Sequence, residues 1–317
     1  MRRLLASILC LAMTTAAPAE TITISAEPIP EFQRLAATEA FGPFTWRGGL
    51  TLTSPAADFG GLSGLVIGKG CEELLAVSDM GHWLQARLQY DDKGRLSGMS
   101  SAGLQPLRNS EGGSLGGKVQ ADAEALTRLA DGKLLVGFER LVRFGRYEGV
   151  KAKFRPVPHP KDMDTGPDNA QIEAVGQLAD GRLLAIGEGQ FDASGNIRAW
   201  AWKGGETAAF TLTRHGDYRV TDLAVMADGS VLTLERRFTT TSMPGMAVRR
   251  FKSSAIARGA MVAPELLLEA TAPAYVIDNM EGIAVCERQG ETRVTLVSDD
   301  NFSPLQSTIL LQFAYGR

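Results

Sequence analysis

Short apolar runs, separated by turns that contain glycine and aspartate, follow one another along most of the chain. The clearest pairs of runs flank three Ala-Asp-Gly turns, at Asp131, Asp180 and Asp228. An Asp-Gly pair between two apolar runs is a strong signal for a β-hairpin. The pattern therefore predicts an all-β protein made of hairpins.

The three hairpins are copies of one repeat. They cover residues 124–139, 173–188 and 222–235, and their turn aspartates lie 49 and then 48 residues apart. Weaker copies flank them at residues 63–79 and 281–299. A hairpin repeat of this period is typical of the blades of a β-propeller, whereas a sandwich or jelly roll would give strands without it.

We therefore predict an all-β β-propeller of about six blades, which is the number that fits the residues after position 19. Residues 20–44 are expected to form an N-terminal arm, and residues 45–317 the propeller domain. The apolar residues 307–315 resemble a closing strand. Strands from both ends of the chain would then share the last blade and close the ring.

Residues 1–19 have the pattern of a cleaved export signal. Arg2 and Arg3 precede a short apolar run, and residues 17–19 give an A-x-A cleavage site. After this segment, nothing reaches the length of apolar sequence that spans a bilayer. We therefore expect a periplasmic or secreted protein without a membrane span.

Cleavage of the signal would leave two cysteines, Cys71 and Cys286. In an oxidising compartment they could form a disulfide that joins the two ends of the chain. The alternative is a pair of buried free thiols that pack as small hydrophobic groups. The sequence gives no geometry that would choose between the two.

The balance of charged residues bears on which kinds of molecule the protein is expected to bind. The chain has 33 Lys and Arg against 36 Asp and Glu, a net charge of -3, and its 44% hydrophobic content is that of a globular protein. It has no basic surplus or cluster, so nucleic acid is not an expected partner. We expect a monomer that takes a small anionic or ester substrate.

Acidic residues recur at similar places in the repeat, where an acid begins the first strand and a glutamate ends the second. If the blades are equivalent, these carboxylates converge on a common axis, and their repulsion requires a cation or protons. Oxygen ligands of this kind suit Ca²⁺. The predicted calcium ligands are Glu124, Glu139, Glu173, Glu188, Asp222, Glu235, Glu281 and Asp299. The alternative for each acid is a structural one, either hydrogen bonds from backbone N–H groups of the next blade or an ion pair with arginine.

The glycine-rich stretch 112–118 matches two enzyme motifs only formally. Val119 stands where a phosphate-binding P-loop has Ser or Thr, and the hairpin repeat excludes the α/β framework of a nucleophile elbow. We interpret this stretch as a flexible loop.

Several longer motifs are more specific. They are Phe59-Gly-Gly-Leu-Ser-Gly-Leu65, Ala76-Val-Ser-Asp79, Asp122-Ala-Glu124-Ala-Leu, Gly137-Phe-Glu-Arg140, Asp278-Asn-Met-Glu-Gly-Ile-Ala284, Leu296-Val-Ser-Asp-Asp-Asn-Phe302 and Gln306-Ser-Thr308. Together they resemble the phytase-like family, also called the esterase-like activity of phytase family, from about residue 45 to the end of the chain. The resemblance implies an exported β-propeller that hydrolyses esters or phosphate esters.

Three functional hypotheses follow, of which we favour the first. It is a calcium-assisted hydrolase of phosphate esters or other esters, in which Glu188 and Glu281 are catalytic and Arg140 and Arg236 bind the substrate. Neighbouring residues of a strand point to opposite faces, so an arginine that follows a cavity glutamate needs a bulge or a strand end to face the same cavity. The second hypothesis is a non-catalytic periplasmic propeller that binds a ligand or a protein and holds structural calcium. The third is a lactonase-like propeller enzyme.

Overall fold

The computed structural model describes residues 20–167, 170–239 and 242–316, without the side chain of residue 239. The predicted export signal lies outside these residues. Short 3-10 turns cover Lys69–Cys71, Lys161–Thr165 and Ser253–Ala255, and one short helix, α1, covers Gly117–Ala121. None of the helices in the described residues is long and apolar enough to cross a membrane.

The strands follow one another in antiparallel hairpins, as the turn pattern predicts. In chain order they are β1 (Glu20–Thr21), β2 (Ser25–Ile29), β3 (Ala40–Phe41), β4 (Phe44–Thr53), β5 (Leu62–Ile67), β6 (Glu73–Ser78), β7 (His82–Tyr90), β8 (Leu96–Pro106), β9 (Ala123–Arg128), β10 (Leu134–Phe138), β11 (Arg143–Tyr147), β12 (Arg155–Val157), β13 (Ile172–Gln177), β14 (Leu183–Phe191), β15 (Ile197–Lys203), β16 (Glu206–Leu212), β17 (Arg219–Val225), β18 (Ser230–Thr239), β19 (Ser242–Lys252), β20 (Met261–Val262), β21 (Glu265–Thr271), β22 (Asn279–Arg288), β23 (Glu291–Asp299) and β24 (Thr308–Tyr315).

The described strands form five sheets, which are the blades of a β-propeller. In hydrogen-bonding order they are β1-β8-β7-β6-β5 (blade one), β12-β11-β10-β9 (blade two), β13-β14-β15-β16-β20 (blade three), β17-β18-β19-β21 (blade four) and β2-β4-β24-β23-β22 (blade five), with β3 paired to β4. The first strands of successive blades, β5, β9, β13, β17 and β22, contact one another in turn, and β22 also contacts β5. These five strands therefore surround the axis.

The prediction of an all-β propeller is confirmed, but the prediction of about six blades is wrong. The first strands of the blades begin at Leu62, Ala123, Ile172, Arg219 and Asn279, so blades one and four are longer than the repeat period. The N-terminal strands also extend two existing sheets instead of forming a separate blade. The repeat period, taken as constant, therefore overestimates the number of blades.

Strands from the two ends of the chain lie in one sheet. In blade five β24 pairs antiparallel with β4, and β2 pairs with the other edge of β4. A disulfide between Cys71 and Cys286, whose Cα atoms lie 5.5 Å apart, links the turn after β5 to β22. Of the two states open to the cysteines, the structure contains the disulfide.

Apolar side chains pack between neighbouring blades, and the largest aromatic group lies at blade five. Phe32, Trp46 and Phe313 form mutual ring contacts with centroids 5.0 to 5.8 Å apart. Aromatic side chains bury large areas and contribute strongly to such cores. Because the hydrophobic core lies between the sheets, the polar groups at the start of the first strands can face the axis.

Candidate functional site

A β-bulge interrupts the first strand of each blade near its start. The strand pairing skips Glu124, Glu173, Thr221 and Glu281 in blades two to five, and skips Ser63 with Gly64 in blade one. A bulged residue has no partner in the ladder, and its side chain can point in a new direction. Three of these bulges thus place glutamates around the axis, where they line one cavity.

This acidic cavity has a volume of about 400 Å³. Carboxylates from the bulges, from the ends of the second strands and from the loop before β9 line it together with three cationic side chains. The charged residues of the lining are Asp79, Asp122, Glu124, Glu139, Glu173, Glu281, Asp299, Lys118, Arg140 and Arg236. Carboxylates therefore outnumber cationic groups, as the repeat of acids predicts.

Two groups of carboxylates are compact enough to share one cation. Asp122, Glu124 and Glu139 form one group, and Glu139, Glu173 and Glu188 form the other; within each group, one oxygen from every residue lies within 4.8 Å of the others. Glu139 belongs to both groups. A set of oxygen ligands without nitrogen or sulfur suits a hard cation such as Ca²⁺.

Burial favours protonated carboxyl groups in both groups. Loss of hydration raises the pKa of Glu139 to about 7, although the backbone N–H of Gln171 donates to it at 3.2 Å. Loss of hydration, helped by the nearby Glu188, raises the pKa of Glu173 well above its ordinary value. The pKa of Glu124 is also raised well above its ordinary value, by loss of hydration and by Asp122, although this side chain remains partly exposed to the cavity. A bound cation would oppose these shifts and favour the charged carboxylates.

Arg236 connects acids of two blades on the other side of the cavity. Its Nη2 donates to Glu188 Oε1 at 3.2 Å, its Nη1 donates to Asn279 Oδ1 at 3.1 Å, and its Nε lies 3.0 Å from Glu281 Oε1. Even beside this guanidinium, loss of hydration raises the pKa of Glu281 to about 8. Loss of hydration also raises the pKa of Asp299 to about 7. Burial therefore favours the protonated form of both acids.

Arg140 and Lys118 are held by the aspartates of the cavity. The Nε of Arg140 donates to Asp122 Oδ2 at 2.7 Å. Lys118 Nζ lies 3.4 Å from Asp122 Oδ1 and contacts Asp79 Oδ2. All three cationic side chains of the described lining therefore have carboxylate partners. The four catalytic residues predicted from the sequence, Glu188, Glu281, Arg140 and Arg236, lie in or directly beside this cavity.

Blade four departs from the predicted pattern, because its two predicted ligands lie outside the described cavity lining. Asp222 accepts the backbone N–H of Leu223 and that of Ile283 in blade five, both at 2.8 Å. Glu235 is fully buried and accepts Arg249 Nη1 and Thr233 Oγ1, each at 3.0 Å. These contacts are the structural alternative that the sequence left open.

The reason is a shift of one residue along the strands. Glu173 precedes its turn aspartate by seven positions, but Asp222 precedes Asp228 by six, so Thr221 occupies the bulge of blade four. Glu235 also lies one position closer to the turn than Glu188 does in blade three. Arg236 therefore occupies the position in blade four that Glu188 occupies in blade three. A shift of one residue turns a side chain to the opposite face of a strand. The predicted equivalence of Asp222 and Glu235 with the other acids is therefore wrong.

Asp122, Lys118 and Asn279 are among the cavity residues that were not predicted as site residues. Asp122 stands two positions before Glu124 in one of the family motifs, and this alternation was a usable signal that both lie on one side. Lys118 belongs to α1, inside the glycine-rich stretch interpreted as a flexible loop. Asn279 donates to Glu281 at 2.7 Å and accepts from Arg236, and it stands two positions before Glu281 in another family motif, the same alternation that Asp122 shows with Glu124.

Comparison with known proteins identifies a matching family and several solved structures with distantly similar folds. The family model described as "Phytase-like: Esterase-like activity of phytase" matches residues 57–302. No curated protein matches the chain. Similar solved structures include an endo-arabinase from Bacteroides thetaiotaomicron (13% identity, 80% of this chain and 93% of that chain, TM-score 0.49), an α-L-arabinofuranosidase from Podospora anserina (11%, 87% and 98%, 0.49) and a gluconolactonase from Xanthomonas campestris (10%, 96% and 99%, 0.44). These similarities are too distant to support an argument about activity.

Proposed function

Because the chain belongs to the phytase-like family, we propose that its acidic cavity is the active site of a metal-assisted ester hydrolase, with calcium as the metal. The observation that supports the proposal is the group of Glu139, Glu173 and Glu188, whose oxygens lie within 4.8 Å of one another. A cavity of about 400 Å³ above such a group has room for a small substrate.

The residues of this group fit a hard cation. In the described part of the chain Glu139 and Glu173 have no ion-pair partner, and loss of hydration raises the pKa of both, so they would gain from a positive charge. Glu139, Glu173 and Glu188 would hold the cation, with Glu124 close to Glu139 on the side of blade two. When bound, a divalent cation supplies Lewis-acid polarisation of the ester oxygen and a more acidic water.

On the side of the cavity formed by blades four and five, a carboxyl group would donate the proton that the leaving alcohol requires. Burial raises the pKa of Glu281 to about 8 and so favours its protonated form, which makes it a suitable proton donor to the leaving oxygen of an ester. Arg236 orients this carboxyl group at 3.0 Å and also holds Glu188. Arg219 lies 3.6 Å from the other oxygen of Glu188, so that carboxylate is fixed from two sides.

The proposal can be tested with matched chromogenic phosphate, acyl-ester and lactone substrates, assayed with calcium and after chelation. We expect calcium-dependent turnover of one class, reduced at least roughly tenfold in Glu139→Gln because a cation ligand is lost. Glu265→Gln, which alters only an exposed ion pair with Arg250, is the matched control and should retain activity. Turnover that is indifferent both to chelation and to Glu139→Gln would refute the mechanism.

The same assay separates the other hypotheses. Lactone hydrolysis without turnover of the other esters would favour a lactonase-like enzyme. If calcium raises the melting temperature but no substrate is hydrolysed, the protein is better described as a binding propeller with structural metal.

We also propose that residues 1–19 direct export to the periplasm or the medium. The disulfide between Cys71 and Cys286 supports this, because disulfides persist in oxidising compartments. The mass of the protein recovered from the periplasmic or secreted fraction should correspond to a chain that begins near residue 20. Recovery of the uncleaved chain from the cytoplasm alone would contradict export.

Ring closure by the sheet shared between the chain ends is a further proposal. The pairing of β24 with β4 and the disulfide both connect the two ends. Deletion of β24 should then unfold blade five and lower the melting temperature of the whole domain. A deletion variant with an unchanged melting temperature would contradict this role.

A further inference from the structure

Several exposed hydrophobic residues belong to the cavity lining or stand next to lining residues in the sequence. Phe238 lines the cavity itself, and five others directly precede or follow a lining residue in the sequence. We call this set the apolar rim; it consists of Met80, Val119, Leu141, Phe238, Phe302 and Leu305. Exposed apolar surface beside a polar cavity is characteristic of a binding site.

The ring of Phe302 lies against two glycines at the start of blade one. A Cβ atom added to Gly61 would lie 2.7 Å from Phe302 Cε2 and would also clash with Asp79 Oδ1. A Cβ atom on Gly60 would lie 3.1 Å from the same ring. The motif Phe59-Gly-Gly thus makes room for an aromatic ring directly beside a cavity carboxylate, while 43% of Phe302 stays exposed.

The backbone that presents this ring is strained. Asn301 and Phe302 have φ values of +48° and +50°, a conformation that asparagine tolerates but that is costly for a bulky residue such as phenylalanine. Asp300 Oδ1 accepts the N–H of Phe302 and that of Gly61, each at 3.1 Å, and so fixes the loop to blade one. A strained backbone that leaves an aromatic ring exposed has no stabilising role in the core, which points to use at the cavity mouth.

The charges of the cavity limit the kind of group that can enter. Lys118, Arg140 and Arg236 are all engaged with carboxylates, and the described lining contains no further cationic side chain. Apart from the proposed metal ion, a phosphate monoester would therefore find no free positive charge and would have to displace one of these pairs for a second contact. A neutral ester group needs only the metal ion and avoids this cost.

We propose that Phe238 and Phe302 bind the hydrocarbon part of a neutral acyl ester whose ester group lies in the acidic cavity. This rests on the hydrolase proposed above and narrows its substrate class. In the reaction the oxygen of water bonds to the carbonyl carbon, and the bond from that carbon to the alkoxy oxygen breaks. The proton lost by water balances the proton gained by the leaving alcohol, so neither an oxidant nor a reductant is required.

The test is a ladder of p-nitrophenyl acetate, butyrate and octanoate, with p-nitrophenyl phosphate as the anionic comparison. For the native protein we expect kcat/KM to rise about tenfold from acetate to octanoate and to be lowest for the phosphate. Phe238→Ala and Phe302→Ala should each reduce octanoate hydrolysis at least about fivefold more than acetate hydrolysis. Met261→Ala, at an exposed position on β20 outside the described cavity lining, should leave the ladder unchanged.

A preference for the phosphate, or an unchanged ladder in both phenylalanine variants, would overturn the proposal. If no ester is hydrolysed, the hydrolase itself fails, and the apolar rim is then tested by binding alone. Calorimetry with the non-ester N-octylacetamide should show tighter binding than N-methylacetamide, weakened about tenfold in Phe238→Ala and Phe302→Ala. If the native protein and both variants bind N-octylacetamide equally tightly, the proposed role of the apolar rim is overturned.

Discussion

Blades three and four contain the same hairpin, but their acids have different surroundings. In blade three Glu173 and Glu188 lie beside Glu139 in a group that could hold a cation. In blade four Asp222 accepts two backbone N–H groups and Glu235 pairs with a buried arginine. Among the described residues Glu173 therefore has no ion-pair partner, whereas each acid of blade four is held by hydrogen bonds or an ion pair, although burial raises the pKa of both.

The difference shows what a shift of one residue does in a repeat protein. Because strand neighbours face opposite sides, the shift exchanges a cavity position for a core position without changing the residue type. It also places Arg236 where blade three has Glu188, so one cation faces the acids of the other blades. We infer a cavity with a metal-binding side at blades two and three and a proton-binding side at blades four and five.

The largest expected effect on stability comes from removing Glu235, the acid that pairs with a buried arginine. Glu235→Ala leaves Arg249 buried without its carboxylate, so we expect a loss of about 3–5 kcal/mol in the free energy of unfolding, measured with denaturant. Glu265→Ala, at an exposed ion pair, is the control and should cost less than about 1 kcal/mol. Similar losses in the two variants would remove the basis for treating Glu235 as structural.

The second effect is a pH dependence of stability to which the buried acids of the cavity contribute. Burial raises the pKa of Glu139 to about 7, of Asp299 to about 7 and of Glu281 to about 8, above their values in the unfolded chain. Between the unfolded and folded pKa values the folded state binds more protons, so stability falls as pH rises. The chelated protein should lose at least about 2 kcal/mol between pH 5 and pH 8.

Saturating calcium should flatten this dependence, because the cation favours the charged carboxylates. Unfolding free energies measured at several pH values, with calcium and with chelator, check both statements. A flat profile in chelator would contradict the raised pKa values of these acids, and the same slope with calcium would contradict the assignment of Glu139 to the metal site.

A smaller effect on stability is expected at Asp222, whose carboxylate accepts hydrogen bonds from backbone N–H groups. Asp222→Asn keeps one acceptor oxygen but leaves one of the two N–H groups, of Leu223 or Ile283, without its partner. We expect a loss of about 1–2 kcal/mol in the free energy of unfolding. The rise in melting temperature caused by calcium should be the same as in the native protein; loss of this rise would place Asp222 with the metal ligands.

The propeller was predictable because its hairpin turns recur at a nearly constant period, which is a property of the sequence alone. The number of blades was not, because blades one and four are longer than the period that the three clear repeats show. Glu124, Glu139 and Glu173 were predicted correctly as neighbours, since their spacing to the turns is the same in both blades.

Blade four was misassigned for a physical reason. By residue type alone, Glu235 was aligned with Glu188 of blade three, although the two differ by one position in their distance from the turn. Strand pairing fixes the face of each position, and it makes Arg236 the equivalent of Glu188. Counting positions from the turn aspartate would have found this. The place of Lys118 could not be found in this way, because it depends on the short helix α1, which the sequence pattern did not predict.

The most direct test of the central claim is a calorimetric calcium titration at pH 8 of three proteins: native, Glu173→Gln and Asp222→Asn. Each substitution replaces one carboxylate by an amide at nearly the same place in the repeat. We predict that Glu173→Gln weakens calcium binding at least about tenfold, since a charged ligand is lost, and that Asp222→Asn binds as the native protein does. Equal weakening in both variants, or unchanged binding in Glu173→Gln, would contradict the division between a metal-binding blade three and a structural blade four.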